Sequence, residues 1–451
     1  MPRVGIGPIQ RKCLGGREMT SGSIEQAGAV RTGKGYRYFV AIFLALVYAL
    51  NFMDRQIVAI LQEPIRMEFG LSDSQLGLLT GLAFALFYTS FGIPVAWLAD
   101  RYRRVPIMAA ACAIWSLFTA LCGLANSFLH LLLARIMVGA GEAGGAPPAY
   151  SLLSDYFGPE ERGKALGIFS LGAPLGAALG AGLGAWLAAQ YGWRMAFIAV
   201  GAPGVLFALA MLFLIKEPQC GVLDIPSPPG GDVSFAGSIR AFVTDRTMML
   251  NALSAAMAAF VGYALLAWNP SFLTRAKGMT LEDIASHYSL VLGLTGVIGI
   301  LASGWLVDRL GRHDRRWYAW LPALAFLLSI PGIVGAILAP SWHYALLCLS
   351  VPALLSNMYI APALAIVQNN TPPERRTMAN ATLVFLVALI GLGGGPVYLG
   401  IVSDLALATW GTASLEIAYA ALLPPVALTI ALQLLTARSL GCRQVIAEQG
   451  S

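Results

Sequence analysis

A chain of 451 residues that is 57% hydrophobic and only 12% charged lies outside the range of soluble domains, which run at roughly 45–50% apolar and about 25% charged. That much apolar surface can be kept from water only in a bilayer, where helices satisfy their own backbone hydrogen bonds. The net charge of +6 sits at the edges of apolar blocks without aromatic-interleaved basic stretches, which excludes a nucleic-acid partner.

In chain order, residues 1–36 are polar, Gly-rich and basic with no apolar core. They read as a disordered cytoplasmic tail and not a signal peptide. A spanning helix needs about 20 mainly apolar residues, and six candidates follow at 37–61, 74–99, 105–125, 128–156, 163–190 and 193–215. A polar connection, 216–245, contains Pro226, Pro228, Pro229, Gly230 and Gly231. Six more candidates occupy 246–274, 281–307, 317–338, 341–370, 377–403 and 411–437, with a tail at 438–451. The expected fold is an all-α polytopic membrane protein, with twelve helices in two pseudo-symmetric bundles at 37–215 and 246–437.

Charge tests the count. With a cytoplasmic N-terminus, the inside segments collect most of the Arg and Lys, including Arg101, Arg103, Arg104, Arg309, Arg312, Arg315 and Arg316. The outside loops carry only Arg66, Arg194, Arg275 and Lys277. That bias follows the positive-inside rule and places both termini in the cytoplasm of a cell membrane. One helix more or fewer would invert every later loop.

The chain also repeats at about half its length. After span two stands Trp97-Leu98-Ala99-Asp100-Arg101-Tyr102-Arg103-Arg104, and after span eight Trp305-Leu306-Val307-Asp308-Arg309-Leu310-Gly311-Arg312. Pro159-Glu160-Glu161-Arg162 after span four is echoed by Pro373-Glu374-Arg375-Arg376 after span ten. Two six-helix bundles in parallel repeat are one known transporter architecture.

The D-R-x-x-R loop after span two resembles the signature of the major facilitator superfamily. Asn51-Phe52-Met53-Asp54-Arg55 in span one is more specific, as is Arg135-Ile136-Met137-Val138-Gly139-Ala140-Gly141-Glu142-Ala143 in span four. With Asp155-Tyr156-Phe157 and Arg162, they resemble the Spinster branch, which includes sphingosine-phosphate and lysophospholipid transporters. Trp97 and Tyr102 depart from the pattern, standing where the superfamily usually has glycines.

Ionisable groups inside spans cost about 2.5–3.5 kcal/mol each on insertion scales and default to function. Asp54, Arg55, Arg135 and Glu142 are such groups. Arg135 and Glu142, seven apart, return to within about 20° of one helix face, whereas Asp54 and Arg55 point about 100° apart. Desolvation favours a neutral carboxyl and a nearby Arg favours a charged one. An Arg that moves between Asp54 and Glu142 would therefore change proton affinity. The resemblance implies that these positions handle substrate and protons: Asp54 and Glu142 in the proton step, Arg135 switching between them, Arg55 and Asn51 near the headgroup. The alternative is a buried salt-bridge lock holding the first bundle together, although buried ion pairs stabilise poorly compared with apolar packing.

The resemblance also implies that Asp100, Arg101, Arg104, Asp308 and Arg309 form a cytoplasmic latch, closed in the outward-facing state. Gly172, Gly176, Gly180 and Gly184 make a small-residue ridge for close helix approach, expected to let span five rock against the other bundle. Gly391, Gly393, Gly394, Gly395 and Pro396 suggest a flexible point in span eleven. Asn269, Asn357 and Tyr359, each near a proline, are candidate cavity residues in the second bundle, with interhelical hydrogen bonding as the alternative. That bundle has no acid within its spans comparable to Asp54, so an apolar wall facing an acyl chain is expected there.

Other chemistries lose their support. Gly139 to Gly144 spells G-x-G-x-x-G without the strand that a dinucleotide site needs. Gly28 to Lys34 mimics most of a phosphate-binding loop, but Gly35 replaces the required Ser or Thr. The six cysteines (Cys13, Cys112, Cys122, Cys220, Cys348, Cys442) lack metal-ligand spacing. No cofactor, metal or enzymatic activity is expected. The reading is a monomeric, proton-linked transporter of an amphipathic lipid working by alternating access. A small organic anion, its carboxylate bound by Arg55 and Arg135, is the alternative substrate, and a membrane receptor the remote reading.

Overall fold

The computed structural model describes residues 33–218, 235–372 and 375–449. Every regular element among them is helical. Ten segments are long and apolar enough to cross a membrane. The last, Met378–Cys442, runs for 65 residues through a short turn at Gly411–Ala413, so it makes two crossings. One more is built from Phe128–Glu142 and Ala146–Tyr156, whose central break and charges interrupt the apolar run. The described residues thus make twelve crossings, six on each side of the connection.

Span ends extend beyond the purely apolar runs. Span one is Lys34–Ile60, span eight reaches Gly311, and span eleven reaches Trp410 before the turn. The final helix, Leu423–Gln449, continues through most of the stretch read from sequence as a tail. The connection is not wholly irregular either: Phe235–Thr244 is a helix that seats Phe242 in the core. Residues 219–234, with Cys220 and the Pro/Gly cluster, lie outside the described residues, as do Cys13, Pro373 and Glu374.

Several crossings are discontinuous. Span two breaks at Gly81, span four at 143–145, span ten between Leu355 and Ile360. The breaks in spans four and ten preserve the half-chain repeat at the level of backbone. Span eleven carries a π-helix over Val387–Gly394, at the glycine-rich point expected to be flexible, and π-helical turns concentrate at functional positions.

The glycine ridge of span five does not face the second bundle. A Cβ on Gly176 would lie 2.7 Å from the Ala49 backbone, and one on Gly180 2.8 Å from that of Met53. The ridge packs span five against span one inside the first bundle. The expectation fails because span five has small residues on two sides. Its other side, Pro174 and Ala178, meets Gly296 and Gly293 of span eight, and this is the seam between bundles. A second seam joins spans two and eleven, where a Cβ on Gly81 would lie 2.9 Å from the Gly393 carbonyl.

Call the end of the bundles bearing both chain ends the tail end, and the opposite one the far end. At the far end the bundles are tied by ion pairs and hydrogen bonds. At the tail end, Gly92 in span two, Gly167 in span five and Gly304 in span eight have no atom within 4 Å of where a Cβ would stand. The cleft between bundles is tied shut at the far end, and the glycines at the tail end stand in open space, the arrangement of a cleft that opens there.

Candidate functional site

The charged residues of spans one and four meet in the first bundle. Two glycines explain how closely span four approaches. A Cβ on Gly139 would stand 2.7 Å from the Phe84 carbonyl, and one on Gly141 2.8 Å from the Trp115 nitrogen. The sequence that mimics a nucleotide loop is thus a packing device between spans two, three and four. Span four carries Arg135 and Glu142 on one face, both only 1% exposed.

Arg55 donates from Nε to Glu142 Oε2 at 2.5 Å, a buried charge-assisted bond of the stronger class. Its guanidinium lies over the rings of Phe52, Phe84 and Tyr88 at 5.0, 4.8 and 4.8 Å, which suits a delocalised cation. Asn51 borders the same carboxyl of Glu142. Arg135 makes no ion pair among the described residues. Its Nη1 donates to the Asp54 backbone carbonyl at 3.4 Å, and its guanidinium rests 5.3 Å from the Phe84 ring centre. Arg135 remains within electrostatic reach of both carboxylates.

Asp54 is the unusual member. It is 1% exposed, no cation stands within ion-pair distance among the described residues, and its Oδ1 has no hydrogen-bond partner. Glu142 Oε1 and Arg135 Nε are unpartnered too. Buried polar atoms left unpaired cost about 1–3 kcal/mol each and are few in native structures, so each calls for an explanation. The cation closest to a carboxylate is therefore Arg55 and not Arg135, a partner choice that the 100° separation on span one leaves open. Arg55 is also the one of the four whose side chain keeps a sizeable surface open, 16%.

Tyrosines complete the site, and the sequence reading missed them except Tyr359. Tyr88 and Tyr263 both couple electrostatically to Arg55, and Tyr263 also to Tyr359. Tyr48 and Asn51 border a small cavity with Trp115 and Phe169. The two W-L-x-D-R motifs are 208 residues apart, and the same offset maps Asp54 and Arg55 onto Gly262 and Tyr263. Where the first bundle presents ions, the second presents glycine and a phenol. That offset was available in the sequence.

The second-bundle candidates separate. Tyr359 stands with Tyr263, and Asn357 lies in the span-ten break beside Gly299 of span eight. Asn269 does not reach the site: it is buried, accepts a hydrogen bond from Tyr419 at 2.9 Å, and lies beside Tyr288. Its amide serves packing inside the second bundle, the alternative weighed for it.

The tail-end motif ties elements of the first bundle to one another. Arg104, 3% exposed, binds Asp155 at 2.5 Å, Glu217 at 2.9 Å and Ser151 at 2.9 Å. Glu217 also accepts from the amides of Arg104 and Val105 at the start of span three. These bonds tie spans three, four and six together. Arg101 lies 3.9 Å from the Trp97 ring centre and Arg309 5.6 Å from that of Trp305. Asp308 has no bond to the first bundle among the described residues, and the side chain of Asp100 lies outside them.

Two six-helix bundles in parallel repeat, with buried ionisable groups beside a cleft closed at one end, define a secondary transporter. The chain belongs to the Major Facilitator Superfamily, whose model matches residues 44–396, and within it to the Spinster type. It is 31% identical to an MFS-type efflux pump of Mycolicibacterium smegmatis over 85% of this chain and 88% of the relative. It is 29% identical to protein spinster homolog 1 of Mus musculus over 84% of this chain and 75% of the relative. A bacterial homologue of the human lysosomal transporter Spinster, solved inward-facing and unoccupied, is 31% identical. It superposes with a TM-score of 0.81, covering 90% of this chain and 98% of that one. The chain is accordingly a multi-pass membrane transporter and not an enzyme.

Proposed function

We propose that the protein is a proton-linked transporter of an anionic amphipathic lipid, lysophospholipid-like, working by alternating access with its tail end in the cytoplasm of the cell membrane. The observation that carries the reading is the position of Arg55. It is held by Glu142 through Nε alone while part of its surface stays open. A substrate anion and Glu142 compete for this guanidinium. A proton on Glu142 frees Arg55 for the headgroup, and Asp54, without a counter-ion, is the second proton acceptor. Arg135 responds to the charge on both acids. The loop charges, with Arg and Lys concentrated at the tail end, support the orientation. The second bundle, which presents Tyr263 and Tyr359 where the first presents ions, suits an acyl chain.

The test is flux into proteoliposomes of a labelled lysophospholipid against labelled small carboxylates, at two imposed pH gradients. Lipid flux that rises with the proton gradient supports the reading. Flux of the small carboxylates alone transfers the site to the small-anion alternative, which the partly open Arg55 side chain also accommodates. Ligand binding without flux points to a receptor.

A further inference from the structure

The far end is held by a cluster that joins the two bundles and involves none of the site residues above. Arg275, at the end of span seven, donates to Glu63 Oε1 at 2.6 Å and to Asp73 Oδ2 and Oδ1 at 2.7 and 2.9 Å. Asp73 opens span two and is 3% exposed. Ser403 of span eleven donates to Asp73 Oδ2 at 2.6 Å. One residue further, Asp404 accepts from the backbone amides of Asp73 and Ser74 at 2.9 and 2.8 Å and from the Ser74 hydroxyl at 2.5 Å. Gln62 accepts from Ser271 at 2.8 Å.

The Asp404 contact has a particular form. Ser72 already caps the helix Asp73–Thr80 from its own chain, accepting from the Gln75 amide in a capping box. The first amides, those of Asp73 and Ser74, are left over, and a helix N-terminus carries about half a positive charge. Asp404 satisfies both from the opposite bundle. Span two is therefore capped in part by a carboxylate that leaves when the bundles separate. Opening the far end would strip two backbone donors of their partners and uncover Arg275 between Glu63 and Asp73.

We propose that Asp404, capping span two across the bundle interface, together with Arg275, is the gate that holds the far end closed and sets the resting state open at the tail end. The gate sets the conformational balance, independently of what the central site carries. Its opening is a two-state event, since the same amides cannot keep Asp404 when span eleven withdraws.

Hydrogen exchange of the full chain in lipid nanodiscs, read by mass spectrometry, tests it. Asp404→Ala is expected to speed exchange over residues 71–80 about tenfold, the ratio that a shift of one decade in the closed/open balance gives. At the same time exchange is expected to slow at the tail ends of spans five and eight, around Gly167 and Gly304, because closing there accompanies opening at the far end. Ser403→Ala, which deletes one hydroxyl, is expected to move both regions in the same directions by less, and it carries the test if Asp404→Ala does not insert. Unchanged exchange at the far end overturns the gate. Faster exchange at the far end with no slowing at the tail end also overturns it, because the bonds would then be local packing only.

Discussion

Replacing Glu142 by Gln removes the charge that occupies Arg55 while keeping the side chain's size. The bond lost is one hydrogen bond between two ions, 2.5 Å long, with the carboxylate fully buried. Hydrogen bonds to charged groups contribute about 1.5–3 kcal/mol. If a substrate anion must break this bond before it binds, its removal strengthens binding by about 10- to 100-fold, at 1.4 kcal/mol per decade. The same substitution removes the proton that links binding to pH. Titration of a labelled lysophospholipid on purified protein at pH 7.5 and 5.5 (about one decade either side of pH 6.5, spanning the range where carboxyls tuned for proton exchange work) separates the cases. The wild-type protein is expected to bind more tightly at the lower pH. Glu142→Gln is expected to bind tightly at both. Weaker binding by the variant at both values would refute the competition for Arg55 and leave Glu142 a structural residue.

Three other expectations concern the scaffold. Gly176→Ala sets a Cβ against the Ala49 backbone, which cannot rotate away, so thermal unfolding is expected to show a loss of about 1–3 kcal/mol; Gly167→Ala, in open space, is expected to be neutral or slightly stabilising. Asp155→Asn removes one of the two carboxylates paired with Arg104 and keeps Glu217; it is expected to cost up to about 3 kcal/mol, below the full range for breaking a buried pair, measured as a lower Tm in detergent. Glu68, between spans one and two, is held below the usual carboxylate range by hydrogen bonds from Arg194 and Trp193. A carboxylate lowered in the folded state contributes stability above its unfolded value near about pH 4 and loses it as pH falls through the folded one. Because the pair is exposed, Glu68→Gln is expected to cost under about 1 kcal/mol at pH 7, and the difference in Tm is expected to shrink as pH falls below about 4.

The crossings were legible because a bilayer imposes length and apolarity on each helix, and because loop charges alternate with topology. Depth along spans one and four was legible too, since charge in an apolar run is costly wherever the helix points. Rotation and partnership were not. Whether Arg55 or Arg135 meets Glu142 depends on how span four seats against Phe84 and Trp115, which Gly139 and Gly141 permit without specifying. The far-end gate was hidden for another reason. Asp73, Arg275 and Asp404 each stand at a span end, where single charges are ordinary, and Asp404 lies 331 residues from the amide it caps. With span eleven ending at 403 by apolarity, that acid falls just outside the segments where a buried charge is conspicuous. Asn269 misled in the opposite direction: a polar residue beside a proline fits a cavity wall as well as it fits a hydrogen bond to Tyr419.

The most direct measurement is proton-driven flux of a labelled lysophospholipid in proteoliposomes containing wild-type protein, Asp54→Asn or Glu142→Gln, each verified as folded and monodisperse. Flux by the wild-type protein is expected to follow the imposed pH gradient, and flux by both variants to become independent of it. Gradient-dependent flux that persists in both variants would contradict proton handling by these two carboxylates.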